Sequence, residues 1–146
     1  MLKMIFTSGY RWVDYHNFPA EKEKDYIRKA ITSLKALTGY TPRGWYYGRD
    51  SPRSRALVPE VYKEMGEELL WYSDTYADYV PYWVDLPSER NVSNPKGLLM
   101  VPHSFDCIDF KFYTAPASFG DPQGFFVHLK NALTFCTRRG MKGCPR

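Results

Sequence analysis

The stretch PAEKEKDYIRKAITSLKALTGYTPRGWYYG, residues 19–48, decides the fold. Its apolar Tyr26, Ile27, Ala30, Ile31, Leu34 and Leu37 recur at the spacing of one helical face. Pro19 stands where a missing N–H costs nothing at a helix start, and Gly39 closes the run, so a helix is predicted over residues 21–37. The lysines and glutamates between these positions read as a wetted surface. Gly44-Trp45-Tyr46-Tyr47-Gly48 then reads as a short strand bounded by glycines.

Working outward, the same alternation continues in both directions. Residues 2–7 read as a strand ended by Ser8-Gly9. A helix is predicted over 54–68 with Pro59 inside it, where it kinks or restarts the helix. Residues 69–72 read as a third strand. Residues 74–83 alternate acids with aromatics without a consistent period, and 85–97 form a polar insertion with Pro87, Asn94-Pro95 and Gly97. Residues 98–101 make an apolar strand limited by Pro102. Asp121 caps a last helix, Pro122 occupies its first turn, and Phe125, Phe126, Leu129, Leu133 and Phe135-Cys136 supply its buried side before Gly140. Strand and helix in alternation make this an α/β chain, with a parallel sheet and covering helices.

The chain's 146 residues and 17.1 kDa suit one domain able to bury roughly 70% of its unfolded surface. Hydrophobic residues at 44% and charged residues at 25% exclude a wholly disordered chain. Aromatics reach 17%, and tyrosine and tryptophan keep a polar handle that suits a ligand cleft. A net charge of +4, with no basic run longer than two residues, argues against nucleic acid. No stretch approaches the roughly eighteen apolar residues of a membrane span, and no signal-peptide core appears, so no membrane partner and a cytoplasmic location are expected. Cys107, Cys136 and Cys144 form no C-x-x-C pair, so neither a disulfide framework nor a zinc knuckle is suggested. Asn91-Val92-Ser93 matches the glycosylation triplet but reads as a loop.

In parallel β/α folds, ligands gather past the carboxyl ends of the strands. The oddest polar residues of this chain fall there: Tyr10, Arg11, Trp12 and Asp14 after the first strand, and Arg49, Asp50 and Ser51 after the second. Asp74 and Asp78 follow the third, and His103, Asp106 and Asp109 the fourth. Acids, arginines and rings on one rim suit a pocket for a small polar molecule. Arg11 and Arg49 equally suit surface pairs with Asp14 and Asp50, Asp74 a turn cap, and Trp45 the core. His103 is a candidate base. The three histidines show neither H-x-x-x-H nor H-E-x-x-H, and the glycines no G-x-G-x-x-G, so no metal site or nucleotide cofactor is expected. Neither Ser8 nor Ser104 lies in a G-x-S-x-G elbow.

Residues 9–15 (GYRWVDY), 44–52 (GWYYGRDSP) and 72–83 (YSDTYADYVPYW) together resemble the polysaccharide deacetylase (NodB-like) superfamily. The branch they resemble contains allantoinase-like and peptidoglycan or chitin deacetylase-like proteins. Residues 101–106, 109–112 and 120–130 continue the resemblance, which spans about 7–140 and corresponds to the second half to two thirds of a member. The resemblance implies a partial (β/α) barrel, related to a seven-stranded one and truncated at both ends. It implies a hydrolase acting on carbon–nitrogen bonds other than peptide bonds, of allantoinase or carbohydrate deacetylase type. The alternative is a non-catalytic remnant or interaction module that keeps the fold and pocket rim. Arg11, Arg49, Asp74 and Asp106 then carry catalysis, while Tyr10, Trp12, Trp45, Asp78, His103 and Asp109 contact substrate.

Three departures from that pattern matter. Ser8 stands where the branch usually has histidine, and serine cannot replace imidazole as a proton shuttle. His103 stands where tyrosine is more usual, and Lys111 replaces an arginine. Metal-dependent relatives use a divalent ion, but their ligand set is missing here, so no cofactor is assigned. The implied partners are a small polar amide, ureide or N-acetylated sugar, and a second copy or complementing chain to cover the open sheet edge.

Overall fold

The structure is a computed structural model that describes residues 5–46, 51–78, 80–86, 97–103 and 120–143. The expected strand residues 2–4 and 47–48 lie outside these, as do most of the polar insertion and residues 104–119. The chain divides into two compact units, Met1–His103 and Ser104–Arg146.

The first unit is α/β, with a mixed five-stranded sheet. Its strands are β1 (Phe6–Thr7), β2 (Gly44–Tyr46), β3 (Trp71–Ser73), β4 (Tyr82–Asp85) and β5 (Gly97–Met100), in the order β1-β2-β3-β5-β4. Helix α1 (Ala20–Thr38) connects β1 to β2, and α2 (Ser54–Glu64) connects β2 to β3. The parallel pairing of β1, β2, β3 and β5 follows the predicted alternation. One strand does not. Tyr82–Asp85, within and beside the stretch read as having no period, pairs antiparallel with β5 from Tyr82↔Met100 to Asp85↔Gly97. The expectation of a wholly parallel sheet is corrected accordingly.

The sheet's two faces differ, because successive residues of a strand point to opposite sides. Thr7, Trp45, Tyr72 and Met100 stand in register across four strands and are all buried. Against this row pack Ile27, Ala30 and Ile31 of α1 with Leu57, Val58, Val61 and Tyr62 of α2. Both helices therefore share one side of the sheet. On the opposite side lies the row Phe6, Gly44 and Trp71. Gly44 has no side chain, so the Phe6 and Trp71 rings meet across it at 5.8 Å between centroids. An added Cβ there would come within 2.2 Å of the Trp71 ring.

Local signals place the helices as expected. Pro19 precedes α1, and Gly39 closes it at φ 76°, a left-handed conformation that glycine adopts without strain. Its charged face is not uniformly wetted, however: Glu23 and Lys24 are buried. Lys24 Nζ reaches Glu60 at 2.7 Å and Glu64 at 3.0 Å on α2, so the lysine stem is sandwiched between helices while its charge is paired. Tyr62 donates to the Pro42 carbonyl at 2.9 Å, and burial pushes its phenol well above the usual range. Pro59 sits inside α2 and has no N–H to give the Arg55 carbonyl one turn earlier.

In the second unit, α3 (Pro122–Gly143) starts as predicted, with the Gly124 N–H donating to Asp121 Oδ1 at 2.7 Å. It runs through Gly140, since one glycine inside a helix costs only about 1 kcal/mol. Of the side expected to be buried, Phe126, Leu133 and Phe135 are exposed. No helix among the described residues is long and apolar enough to cross a membrane.

Candidate functional site at the carboxyl ends of the strands

Tyr46 ends β2, Ser73 ends β3, and both lie on the sheet face opposite the helices, in register with each other. Beyond Ser73 the backbone carries Asp74, Thr75 and Tyr76 over the rim. The chain leaving β5 continues the ladder, with the Val101 N–H donating to the Tyr72 carbonyl at 2.8 Å and that of His103 to Thr75 at 3.0 Å. This extension brings His103 to the rim at Ser73 and Tyr76.

The imidazole is held from three sides. Its Nδ1 lies 3.2 Å from Ser73 Oγ, the Tyr76 ring meets it edge-on at 4.0 Å, and the Tyr46 ring lies at 5.5 Å. Burial holds His103 below its ordinary pKa, while the charge of Asp74 pulls the other way. Burial therefore favours the neutral ring, with Nε2 outside the Ser73 bond.

Asp74 is engaged by Arg55 from the first turn of α2. The guanidinium donates through Nε at 2.8 Å and Nη2 at 2.7 Å, a fork onto both carboxylate oxygens. The Asp74 side chain is only 10% exposed, so this pair is partly withdrawn from water. Asp74, read in sequence as catalytic or as a turn cap, thus forms an ion pair that spans α2 and the end of β3.

The remaining expected residues separate into groups. Tyr10 meets Tyr26 of α1 edge-on at 5.8 Å, and the Arg11 guanidinium lies 5.5 Å from the Tyr10 ring. Tyr15 and Phe18 complete this aromatic cluster. Trp12 and Asp78 are exposed, as is Ser8 just past β1. Trp45, expected at the substrate, is instead in the core: strand alternation turns it toward α2, where it meets Tyr62 edge-on at 6.3 Å. Arg49, Asp106 and Asp109, with Asp50 and Lys111, lie outside the described residues.

Three participants escape sequence reasoning. Arg55 looked like any helix arginine, and only the βα connection places it at the rim. Ser73 and Tyr46 needed the strand ends to be located to the residue. Glu23 is the fourth surprise, a buried carboxylate on α1 that reads in sequence like its wetted neighbours.

No protein-family model matches the chain. Against curated proteins, it is 34% identical over 146 residues to a Schizosaccharomyces pombe protein named "Putative polysaccharide deacetylase", covering 97% of this chain and 45% of that one. Among solved structures, Puue allantoinase superposes with a TM-score of 0.77 at 33% identity, covering 96% of this chain and 43% of the other. The chain is homologous to polysaccharide deacetylase-like and allantoinase-like proteins. A probable polysaccharide deacetylase from Pseudomonas aeruginosa PAO1 gives 0.74 at 35% identity, with 94% and 42% covered. A Mycobacterium smegmatis structure at 16% identity and a TM-score of 0.63 shares the fold. The chain thus spans less than half the length of the relatives it matches, and the homology links it to a hydrolase superfamily.

Among the described residues, the donors at the rim do not fit a divalent metal. Both Asp74 oxygens face the Arg55 fork, His103 Nδ1 faces Ser73, and no group of three His, Cys, Asp or Glu side chains converges among the described residues. What the described rim holds is a neutral imidazole, a hydroxyl, two rings and a paired charge.

Proposed function

We propose that the chain supplies the strand-end rim of a hydrolase site for carbon–nitrogen bonds other than peptide bonds. Its substrate is a small polar amide or cyclic ureide, in preference to an N-acetylated sugar polymer. The neutral imidazole of His103, fixed beside the Arg55–Asp74 pair, carries this reading. The sheet is read as part of a (β/α) barrel whose other strands come from a further segment or a complementing chain.

In this reading His103 takes the proton of a water whose oxygen bonds to the substrate carbonyl carbon. Arg11 and Arg49 donate to the oxygen that becomes negative. The C–N bond then breaks, and the imidazolium returns the proton to the leaving nitrogen. Asp106, Asp109 and Asp78 orient the substrate's N–H groups, and Tyr10 and Trp12 cover its face.

The test is hydrolysis of allantoin-like ureides and N-acetylated sugars by purified protein, wild type against His103→Gln and Arg49→Ala. Turnover should fall at least about a hundredfold in His103→Gln with the fold retained, the scale expected for a lost acid–base group. Undiminished turnover in that variant refutes the assignment.

A second reading is a pocket that binds without reacting. It is favoured by Ser8, which replaces the usual histidine, and by an Asp74 whose two oxygens are both engaged by Arg55. Calorimetric binding of a ureide with no turnover in the wild type selects it.

A further inference from the structure

The carboxylate of Glu23 is buried between α1 and the start of α2, with its residue only 2% exposed. It accepts from Ser51 Oγ at 2.7 Å and from Ser54 Oγ, and Arg53 Nε stands 3.9 Å away. The two serines are knitted together in turn. The Ser51 N–H donates to Ser54 Oγ at 2.9 Å, and Ser51 Oγ accepts from the Arg53 N–H at 3.0 Å. The Arg53 guanidinium also donates to the Phe18 carbonyl, tying the segment before α1 to the same point.

The first turn of α2 has no acidic residue and no side-chain cap of its own. Negative charge is favoured at a helix N-terminus, and Glu23 supplies it from a different helix. A buried carboxylate is costly unless its lone pairs are satisfied, and here hydroxyls meet both oxygens. Residue 55, next along this turn, holds Asp74.

We propose that Glu23 is a positioning residue for the rim: by holding Ser51 and Ser54 it fixes the first turn of α2 so that Arg55 stands on Asp74. Among the described residues, Glu23 touches none of the reacting groups and acts through the serines. The inference rests on the proposed reading of the rim as a reaction site for its consequence, but the geometry it asserts can be measured without any substrate.

The readout is the titration of the His103 imidazole by NMR in histidine-labelled protein, its signal assigned by loss in His103→Gln. Among the described residues, the groups around this ring are Ser73, Asp74 and Tyr76 from the end of β3, Tyr46 from β2, and Arg55 through its hold on Asp74. Glu23→Ala should release Arg55, leave Asp74 free to favour the imidazolium, and shift the titration upward as Arg55→Ala does. In an Arg55→Ala background, Glu23→Ala should add no further shift. Glu23→Gln, which keeps the shape and one acceptor oxygen, should return the titration toward wild type.

A folded Glu23→Ala whose His103 titration is unchanged overturns the proposal, as does a further shift in the Arg55→Ala background. If circular dichroism shows Glu23→Ala unfolded, Ser54→Ala carries the same two expectations with a smaller excision. Absence of hydrolysis in the wild type would sink the hydrolase reading and leave this titration result standing.

Discussion

Replacing Asp74 with asparagine perturbs the rim at its forked ion pair with Arg55 while keeping the side chain's shape. The amide retains an oxygen for one of the two guanidinium bonds and loses the other bond with the charge. A hydrogen bond to a charged group is worth about 1.5–3 kcal/mol when desolvated. Arg55 is 49% exposed, however, and water takes up much of its released charge. Exposed ion pairs contribute about 0–1 kcal/mol, so with Asp74 itself mostly buried the expected loss is about 1 kcal/mol, a fivefold fall in the folded-to-unfolded ratio. Urea unfolding followed by circular dichroism measures it, and an Arg55→Ala/Asp74→Asn cycle isolates the pair. The same variant also removes the charge that favours the His103 imidazolium, so the His103 titration should move further down. A stability equal to wild type, with cycle coupling near zero, would refute the energetic argument. A His103 titration that stays put or rises would refute the electrostatic one.

Three other perturbations test the fold around the rim. Gly44→Ala should destabilise by about 1–3 kcal/mol through overpacking, because its Cβ meets the Trp71 ring at 2.2 Å; unfolding midpoints report it, and a neutral effect would mean the ring moves freely. Tyr62→Phe keeps the ring and strands the buried Pro42 carbonyl, at a cost of about 1–2 kcal/mol in the same assay. Burial lowers the His103 pKa below 6.5, so as pH falls the unfolded chain takes the proton first. Stability from the neutral ring is complete above 6.5 and is lost below it toward the folded value. The change in urea midpoint between about pH 8 and pH 5.5 should therefore be smaller in His103→Gln than in wild type.

Much of the first unit was legible because its signals are local. The helical spacing of Ile27, Ala30 and Ile31, with Pro19 before it and Gly39 after, specifies α1 without tertiary help. Strand β4 was not legible: Tyr82–Asp85 is four residues long, has exposed Trp83 and Asp85 beside only half-buried Tyr82 and Val84, and acquires its identity from pairing with β5. At the rim, Asp74 and His103 were readable because strand ends attract functional groups. Arg55 and Glu23 were not. A buried carboxylate and a wetted one are the same letter, and what distinguishes Glu23 is the approach of Ser51 and Ser54 from about thirty residues away in sequence. In sequence Trp45 suits both the core and the substrate, and its strand parity settles it in the core.

The pairing of β3 with β5 also bears on how the chain reaches this state. Tyr72 and Met100 come together only after the intervening chain has closed on itself, and closing such a loop costs entropy before any contact repays it. The antiparallel β4–β5 ladder joins segments closer in sequence, so less loop entropy opposes it, and docking of β5 against β3 closes the longer loop. Ser73 and His103, 30 residues apart, meet only once that docking is complete. The rim is then among the last features to assemble and the first to be lost in partial unfolding, so a protease or an exchange experiment should find β5 opening from β3 before α1 and α2 separate.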